Sequence, residues 1–199
     1  MIVRQYSSAP TKQIFASRPS RNLVAPEDGM GHLLFDTLLR AGEQDVASPP
    51  EGLTAQAHYC VSGRGVVVIG GRIATLSPGR IVAASGAGEC AFEAVEDMKI
   101  CSVYGVADVD GVFVERSLAE IEGTERTCSG ARAIPSASSS TRDGLGFAVC
   151  VTIGHADKDS PLEYRNHLES CYYIEARANT SGGTDGAKSR QRTAKGPSS

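Results

Sequence analysis

Turn residues cut this chain into short apolar stretches, and that spacing restricts its fold more than any other feature. Asp28-Gly29, Gly42, Pro49-Pro50, Gly63, Gly70-Gly71, Pro78-Gly79 and Gly86 with Gly88 punctuate it, leaving apolar runs at 33–39, 57–61, 65–69, 73–76, 81–84, 91–94 and 99–104. Runs this short, with Val66-Val67-Val68-Ile69 the clearest, fit strands of a β-sandwich or small barrel and are too brief for core helices. One stretch, 114–122, reads as a helix, with Leu118 and Ile121 on one face and Glu120 and Glu122 turned away. The expectation is an all-β protein. The glycines at Gly63-Arg64-Gly65 and Gly86–Gly88 read as hairpin turns and not as phosphate loops, since no helix start follows them.

At 199 residues the chain has room for one large domain or two small ones. Its 20 Lys and Arg against 23 Asp and Glu leave a net charge of -3, which supplies no electrostatic footprint for nucleic acid or an anionic membrane. No apolar run approaches the roughly 20 residues of a membrane span, and the start lacks the order of a signal peptide. A cytoplasmic protein is expected. The six cysteines (Cys60, Cys90, Cys101, Cys128, Cys150, Cys171) form no CxxC pair and mostly lie in strand-like runs, which reads as buried, reduced thiols. No Gly-x-Ser-x-Gly elbow supports serine hydrolysis.

The chain also resembles itself. Asp28-Gly-Met-Gly-His-Leu-Leu-Phe-Asp-Thr37 lines up with Asp143-Gly-Leu-Gly-Phe-Ala-Val-Cys-Val-Thr152, and Gln56-Ala-His-Tyr-Cys-Val-Ser-Gly63 with Glu169-Ser-Cys-Tyr-Tyr-Ile-Glu-Ala176. The offset is 115 residues (28 to 143) and then 113 (56 to 169), so one two-residue loop difference accommodates both. The reading is a tandem duplication: a near-complete first copy over 1–112, a partial second copy over 113–176 and a tail over 177–199. The tail carries five basic residues against Asp185 and no Val, Ile, Leu, Met or aromatic residue. It cannot offset an ordering cost of about 1–2 kcal/mol per residue and is expected to be a disordered, solvated segment. The switch from strand-like to polar sequence is abrupt, as a truncation or a shifted reading frame would make it.

The segments Asp143-Gly-Leu-Gly-Phe147, Thr152-Ile153 and Tyr164-Arg-Asn-His-Leu-Glu-Ser-Cys-Tyr-Tyr-Ile-Glu175 resemble the signature of ectoine synthase, an iron-dependent enzyme of the cupin superfamily. Val114-Glu-Arg-Ser-Leu-Ala-Glu-Ile-Glu-Gly-Thr-Glu-Arg126 and Met1-Ile-Val-Arg4 are similar to that family's amino terminus. The resemblance implies a cupin-type double-stranded β-barrel, or jelly roll. It also implies a hydro-lyase that cyclises N4-acetyl-L-2,4-diaminobutanoate to L-ectoine with loss of water, in osmoprotection. Iron as cofactor, a small zwitterionic substrate and a homodimer come with it. An amide carbonyl is a poor electrophile, so a Lewis-acid metal and a water-poor barrel that holds the substrate folded both suit the reaction.

By resemblance, Glu169 matches the family's first metal ligand, Tyr164 and Thr152 match substrate-pocket residues, and Arg142 stands for the substrate-binding Arg. In the first copy the pocket Thr is matched by Thr37, a pocket Phe by Tyr104, and the three ligands (Glu, Tyr, His) by Gln56, Val82 and Cys90. Cys150 replaces a pocket Asn, and the family's Tyr and His ligands have no counterpart in the second copy, where Tyr173 is the last Tyr and His167 the last His. Read without the motif, Glu169 is a solvated rim carboxylate, and Thr152 and Tyr164 are ordinary strand residues. His58 and His32 read as hydrogen-bonded core or rim residues rather than metal ligands, and His155 with Asp157 and Asp159 reads equally as a small surface cation site or a polar loop. Two functions from different classes follow: an ectoine-forming enzyme, or an inactive cupin that binds a small metabolite, has a structural or regulatory role, or is a truncated gene product.

Overall fold

A computed structural model describes residues 4–86, 88–124, 133–139, 143–154, 168–172 and 174. The described chain is built almost wholly of antiparallel strands: β1 (Thr11–Gln13), β2 (Pro19–Val24), β3 (Leu33–Leu39), β4 (Gln44–Ala47), β5 (Ala55–Ser62), β6 (Gly65–Ile69), β7 (Arg72–Leu76), β8 (Arg80–Ser85), β9 (Cys90–Ala94), β10 (Met98–Gly105), β11 (Phe113–Ser117), β12 (Ala133–Ser139) and β13 (Val149–Gly154). A seven-stranded sheet runs β1-β2-β3-β10-β5-β8-β11, a four-stranded sheet runs β4-β9-β6-β7, and β12 pairs with β13. From β3 to β10 the chain crosses from one large sheet to the other at every connection except β6–β7. That alternation is the double-sheet jelly roll, and the all-β expectation holds.

The apolar runs read from the sequence all fall on strands. Where one face meets solvent they alternate, as in the buried-exposed pattern of β9. In β8 five of six residues are buried, and in β5 five of eight, because the seven-stranded sheet is covered on both faces. Phe15, Phe35, Leu39, Ile69, Leu76, Phe92 and Ile100 fill the space between the sheets. Leu34, Ala57, Ile81, Ala83 and Val103 face the other way and are covered by Leu145 with Phe147, Val149 and Tyr172.

Three expectations need correction. The helix over 114–122 shrinks to α1 (Leu118–Ile121), because 113–117 pair with the open edge of β8 in register from Phe113↔Ala84 to Ser117↔Arg80. Ser117 caps the short helix, accepting from Glu120 N at 3.2 Å while its own N–H donates to the Glu120 carboxylate at 2.8 Å. The glycines at 63–65 and 86–88 turn corners between sheets, and only Gly70-Gly71 (φ 56° and 75°) make a tight hairpin. At Gly63 (φ 77°) an added Cβ would collide with the Asp97 carbonyl, so the β5–β6 corner needs glycine. Cys60, Cys90 and Cys101 are buried free thiols as expected, but Cys150 and Cys171 are exposed. Cys128, His155 and the 177–199 tail lie outside the described residues.

The sequence echo has geometric counterparts. Arg4 holds Asp28 through two hydrogen bonds of 2.7 and 3.1 Å, and Arg116 holds Asp143 through two of 2.7 and 3.0 Å. Gly29 and Gly31 (φ 66° and 72°) follow the first aspartate as Gly144 and Gly146 (φ 77° and 73°) follow the second. In β2–β3 Arg21 faces Asp36, and in β12–β13 Ser136 faces Val151, each residue 115 positions on (21 to 136, 36 to 151).

Candidate functional site

Strand alternation aims one set of side chains into the barrel. On β5 these are Gln56, His58 and Cys60, on β10 Met98, Ile100, Ser102 and Tyr104, on β9 Cys90, Phe92 and Ala94, and on β8 Val82 and Ala84. Register places Tyr104 opposite Gln56 and Ser102 opposite His58. The polar members meet. His58 Nε2 lies 3.1 Å from Gln56 Oε1, Cys90 Sγ lies 3.4 Å from that oxygen and 3.5 Å from Nε2, and His58 Nδ1 lies 3.0 Å from Ser102 Oγ. Gln56 Nε2 donates to the Gly88 carbonyl at 2.6 Å, tying the cluster to the β8–β9 corner. Phe92 and Tyr104 pack edge-on against the imidazole at 5.0 and 5.9 Å.

Burial dominates the electrostatics here. It pushes the His58 imidazole down to about 3 and the Cys90 thiol up to about 12, so both are neutral near pH 7. Burial also raises the Tyr104 phenol far above its ordinary range, with the neighbouring Cys90 adding to the rise. The Tyr104 side chain is fully buried, and Ser102 beside its hydroxyl offsets part of that rise.

A second polar cluster lies on the outer face of the seven-stranded sheet. Asp36, 2% exposed, accepts hydrogen bonds from Tyr6 Oη at 2.8 Å and Tyr172 Oη at 2.6 Å, and its carboxylate is 3.3 Å from Lys99 Nζ. The Lys99 ammonium sits 5.1 and 5.6 Å from the two phenol rings. His32 Nε2 is 2.6 Å from Ser170 Oγ. These contacts dock 168–172 on the barrel exterior. Tyr172→Phe should lower the unfolding free energy by about 1–2 kcal/mol and raise hydrogen exchange at 168–172; unchanged exchange there would refute the docking.

Of the residues picked from the sequence, Thr37 and Tyr104 both face the barrel interior, but at different depths. Thr37 pairs in register with Ile100 and its hydroxyl is 2.6 Å from that of Ser20, whereas Tyr104 pairs with Leu33 nearer the end that carries Gln56 and Cys90. Glu169 is exposed, on the exterior segment, beside Cys171. Thr152 falls on β13; Tyr164 and Arg142 lie outside the described residues. His58 and His32 are the hydrogen-bonded residues that the plain reading of lone histidines expects. Ser102 and Asp36 were not picked out, although each is a polar residue within a mostly apolar strand, which was the available signal.

The positions that the resemblance equates with the family's Glu, Tyr and His ligands are all interior. Gln56 and Cys90 touch, and Val82, fully buried opposite His58, offers no donor. A neutral amide, an alkyl group and a thiol do not fit an iron site of the family's composition. Among the described residues no three His, Cys, Asp or Glu side chains group as a metal site. Within 112–192 the described residues offer only Glu169 of the implied ligand set.

The ectoine synthase family model matches residues 112–192. No curated protein matches the chain. Among solved structures, the chain is similar to ectoine synthase from P. lautus at 27% identity, over 53% of this chain and 78% of that one, with a TM-score of 0.44. It is similar to the cupin domain of an XRE-family transcriptional regulator from Enterobacter cloacae at 20% identity, over 47% and 97%, with a TM-score of 0.39. To protein Ylba from E. coli the similarity is 15% identity over 67% and 56%, with a TM-score of 0.51, a likeness of fold. Residues 112–192 are thus similar to the ectoine synthase family, and the described strands form a double-sheet jelly roll.

Proposed function

We propose that this chain is a tandem ectoine-synthase-type cupin whose reaction is the cyclisation of N4-acetyl-L-2,4-diaminobutanoate to L-ectoine, the free amine attacking its own acetamide carbonyl as water leaves. The observation that carries this reading is the family match over 112–192, the segment that also holds Glu169, Thr152 and Tyr164. The paired Arg–Asp clamps, the paired left-handed glycines and the shared 115-residue strand register support descent of the two parts from one unit. In this reading Thr152, Tyr164 and Arg142 contact substrate, and Glu169 is the ancestral metal ligand for iron. The first barrel, with Thr37 and Tyr104 at the matching positions, is its non-catalytic partner.

Most of the work asked of such residues is positioning: the attack is intramolecular, so a folded substrate held away from water loses much of its barrier. A cytoplasmic homodimer acting on a small zwitterion, without nucleic acid or membrane, completes the proposal. No helix among the described residues is long and apolar enough to cross a membrane, and the charge balance is near neutral.

A second reading, a cupin that binds a small metabolite without turning it over, is favoured by one observation: Gln56, Val82 and Cys90 occupy the ligand positions of the described barrel. Proton NMR of the folded protein with N-acetyl-2,4-diaminobutyrate and Fe(II) under anaerobic conditions separates the two. The expected result is ectoine ring and methyl signals above a no-protein control, with Glu169→Ala reducing the rate at least about tenfold. Folded protein that makes no product, or an active Glu169→Ala variant, would transfer the conclusion to the binding reading.

A further inference from the structure

Antiparallel β6 and β7 are joined by Gly70-Gly71 (φ 56° and 75°), and Ile69 pairs with Arg72 across that two-residue turn. A turn whose two central residues are both left-handed closes on a hydrogen-bonded pair, and bonded pairs then alternate along the hairpin. Arg72, Ala74 and Leu76 therefore direct their backbone groups to β6, whereas Ile73 and Thr75 aim N–H and C=O off the sheet. β7 is the last strand of its sheet, so among the described residues those groups meet no strand.

The other edges of the two large sheets are blunted, as edges of stable monomers are. β4 is covered by the 14–16 segment, through Ala16 N to Val46 O at 2.8 Å and Ser48 N to Ile14 O at 2.9 Å. β1 is three residues long with Lys12 exposed, and β11 carries exposed Glu115. β7 holds no Lys, Asp, Glu or Pro and no bulge against β6. Its one charge, Arg72, lies 4.9 Å from the Phe113 ring centroid.

An apolar row also ends at this edge. Val46 pairs with Ala91, Ala91 with Val68 and Val68 with Ile73, so the four stand in line across the outer face of the four-stranded sheet. Val46 and Val68 are 36 and 38% exposed, and Ile73, at the free edge, is 74% exposed. Glu93 belongs to the adjacent row, between Gln44 and Val66. Stacking two such faces would bury carboxylates of both copies without a cation, whereas pairing edge to edge leaves them in water.

We infer that two copies of this chain pair β7 with β7 in antiparallel sense about a two-fold axis at Ile73, joining two four-stranded sheets into one of eight strands. In this register Ile73 exchanges backbone hydrogen bonds with the partner's Ile73, Thr75 comes opposite the partner's Gly71, and Arg72 comes opposite the partner's Ala74. No like charges meet, and the two apolar rows become one continuous row. Such self-complementarity is what a two-fold interface requires. The inference rests on the functional reading only for the expectation of a homodimer, to which it assigns a surface. It uses no residue of 112–192, so a monomer would refute it while the NMR assay of ectoine formation still decides the activity.

The test is sedimentation velocity of the full-length chain across the micromolar range, with hydrogen exchange on the same samples. The expected result is a dimer whose Ile73 and Thr75 amides exchange at least about tenfold more slowly than in the dilute monomer. Ile73→Lys places two ammonium groups at the axis and should give a folded monomer, since the parent side chain is mostly in solvent. Thr75→Pro should do the same by removing only an N–H that points off the sheet. Val95→Lys, at a residue 64% exposed beyond the row, should remain dimeric. A parent that stays monomeric leaves the edge to an extended segment of some other chain and overturns the assignment. So does a dimer that survives Ile73→Lys and Thr75→Pro, or one in which the Ile73 and Thr75 amides gain no protection.

Discussion

Phe92→Ala should lower the unfolding free energy by about 3–5 kcal/mol, the range for deleting a fully packed aromatic side chain. Phe92 is 2% exposed on β9, packs against Phe15 with ring centroids 5.2 Å apart and meets the His58 ring edge-on at 5.0 Å. It is therefore the contact through which the four-stranded sheet seals the polar cluster against the opposite sheet. Truncation opens a cavity beside His58 that strands on both sides cannot collapse to fill, because their positions are set by ladder hydrogen bonds. Urea denaturation reads the effect as a lower midpoint with an unchanged slope. Ile73→Ala, at a residue 74% exposed, provides the contrast and should stay within about 0.5 kcal/mol of the parent. A loss under about 1 kcal/mol at Phe92 would mean the interior is not packed as described.

Acid should destabilise the protein well above the pH at which carboxylates titrate. Burial lowers the His58 pKa to about 3, against about 6.5 for an unfolded histidine. Between those values the unfolded chain binds a proton that the folded chain excludes. Stability is therefore whole above about pH 6.5 and falls as pH drops towards 3, by about 2 kcal/mol on reaching pH 5. Burial shifts His32 in the same direction and adds to the slope. Carboxylates come in only lower. Asp28 is held below its ordinary value by its bonds to Arg4, and Asp45, despite burial, by Ser17 and Arg18; both lose their contribution as pH falls below about 4. Urea midpoints between pH 7 and 4.5 for the parent and for His58→Gln test this directly. The variant should show a much shallower decline, and a parent whose stability is flat from pH 6.5 to 5 would refute the assignment of a buried, neutral His58.

Much of the strand pattern was legible because each run of 33–39, 65–69 or 91–94 is short, apolar and bounded by residues that favour turns. The reading failed where local pattern is ambiguous. Residues 114–122 satisfy a helical spacing, yet 113–117 complete a sheet edge, and the availability of that edge is a fact about β8. Gly63 and Gly86 favour the same backbone conformation whether the chain doubles back in one sheet or crosses to the other, so composition could not tell a hairpin from a corner. The site was half legible. The resemblance put Gln56, Val82 and Cys90 at the family's ligand positions, but that His58, Ser102 and Tyr104 join Gln56 and Cys90 requires β5, β9 and β10 to be brought together.

By itself the sequence determined the class of fold, the internal echo and the ectoine-synthase-like segment, because these rest on short-range periodicity and on matched strings of residues. Only the tertiary structure decided that Glu169 stands on the outer face, anchored through Ser170 and Tyr172 to His32 and Asp36, while a thiol, an imidazole and an amide converge inside. The physical reason is that alternation along a strand says which side chains share a face. Which faces then meet depends on how two sheets close over one another, across separations of 32 to 138 residues in the chain.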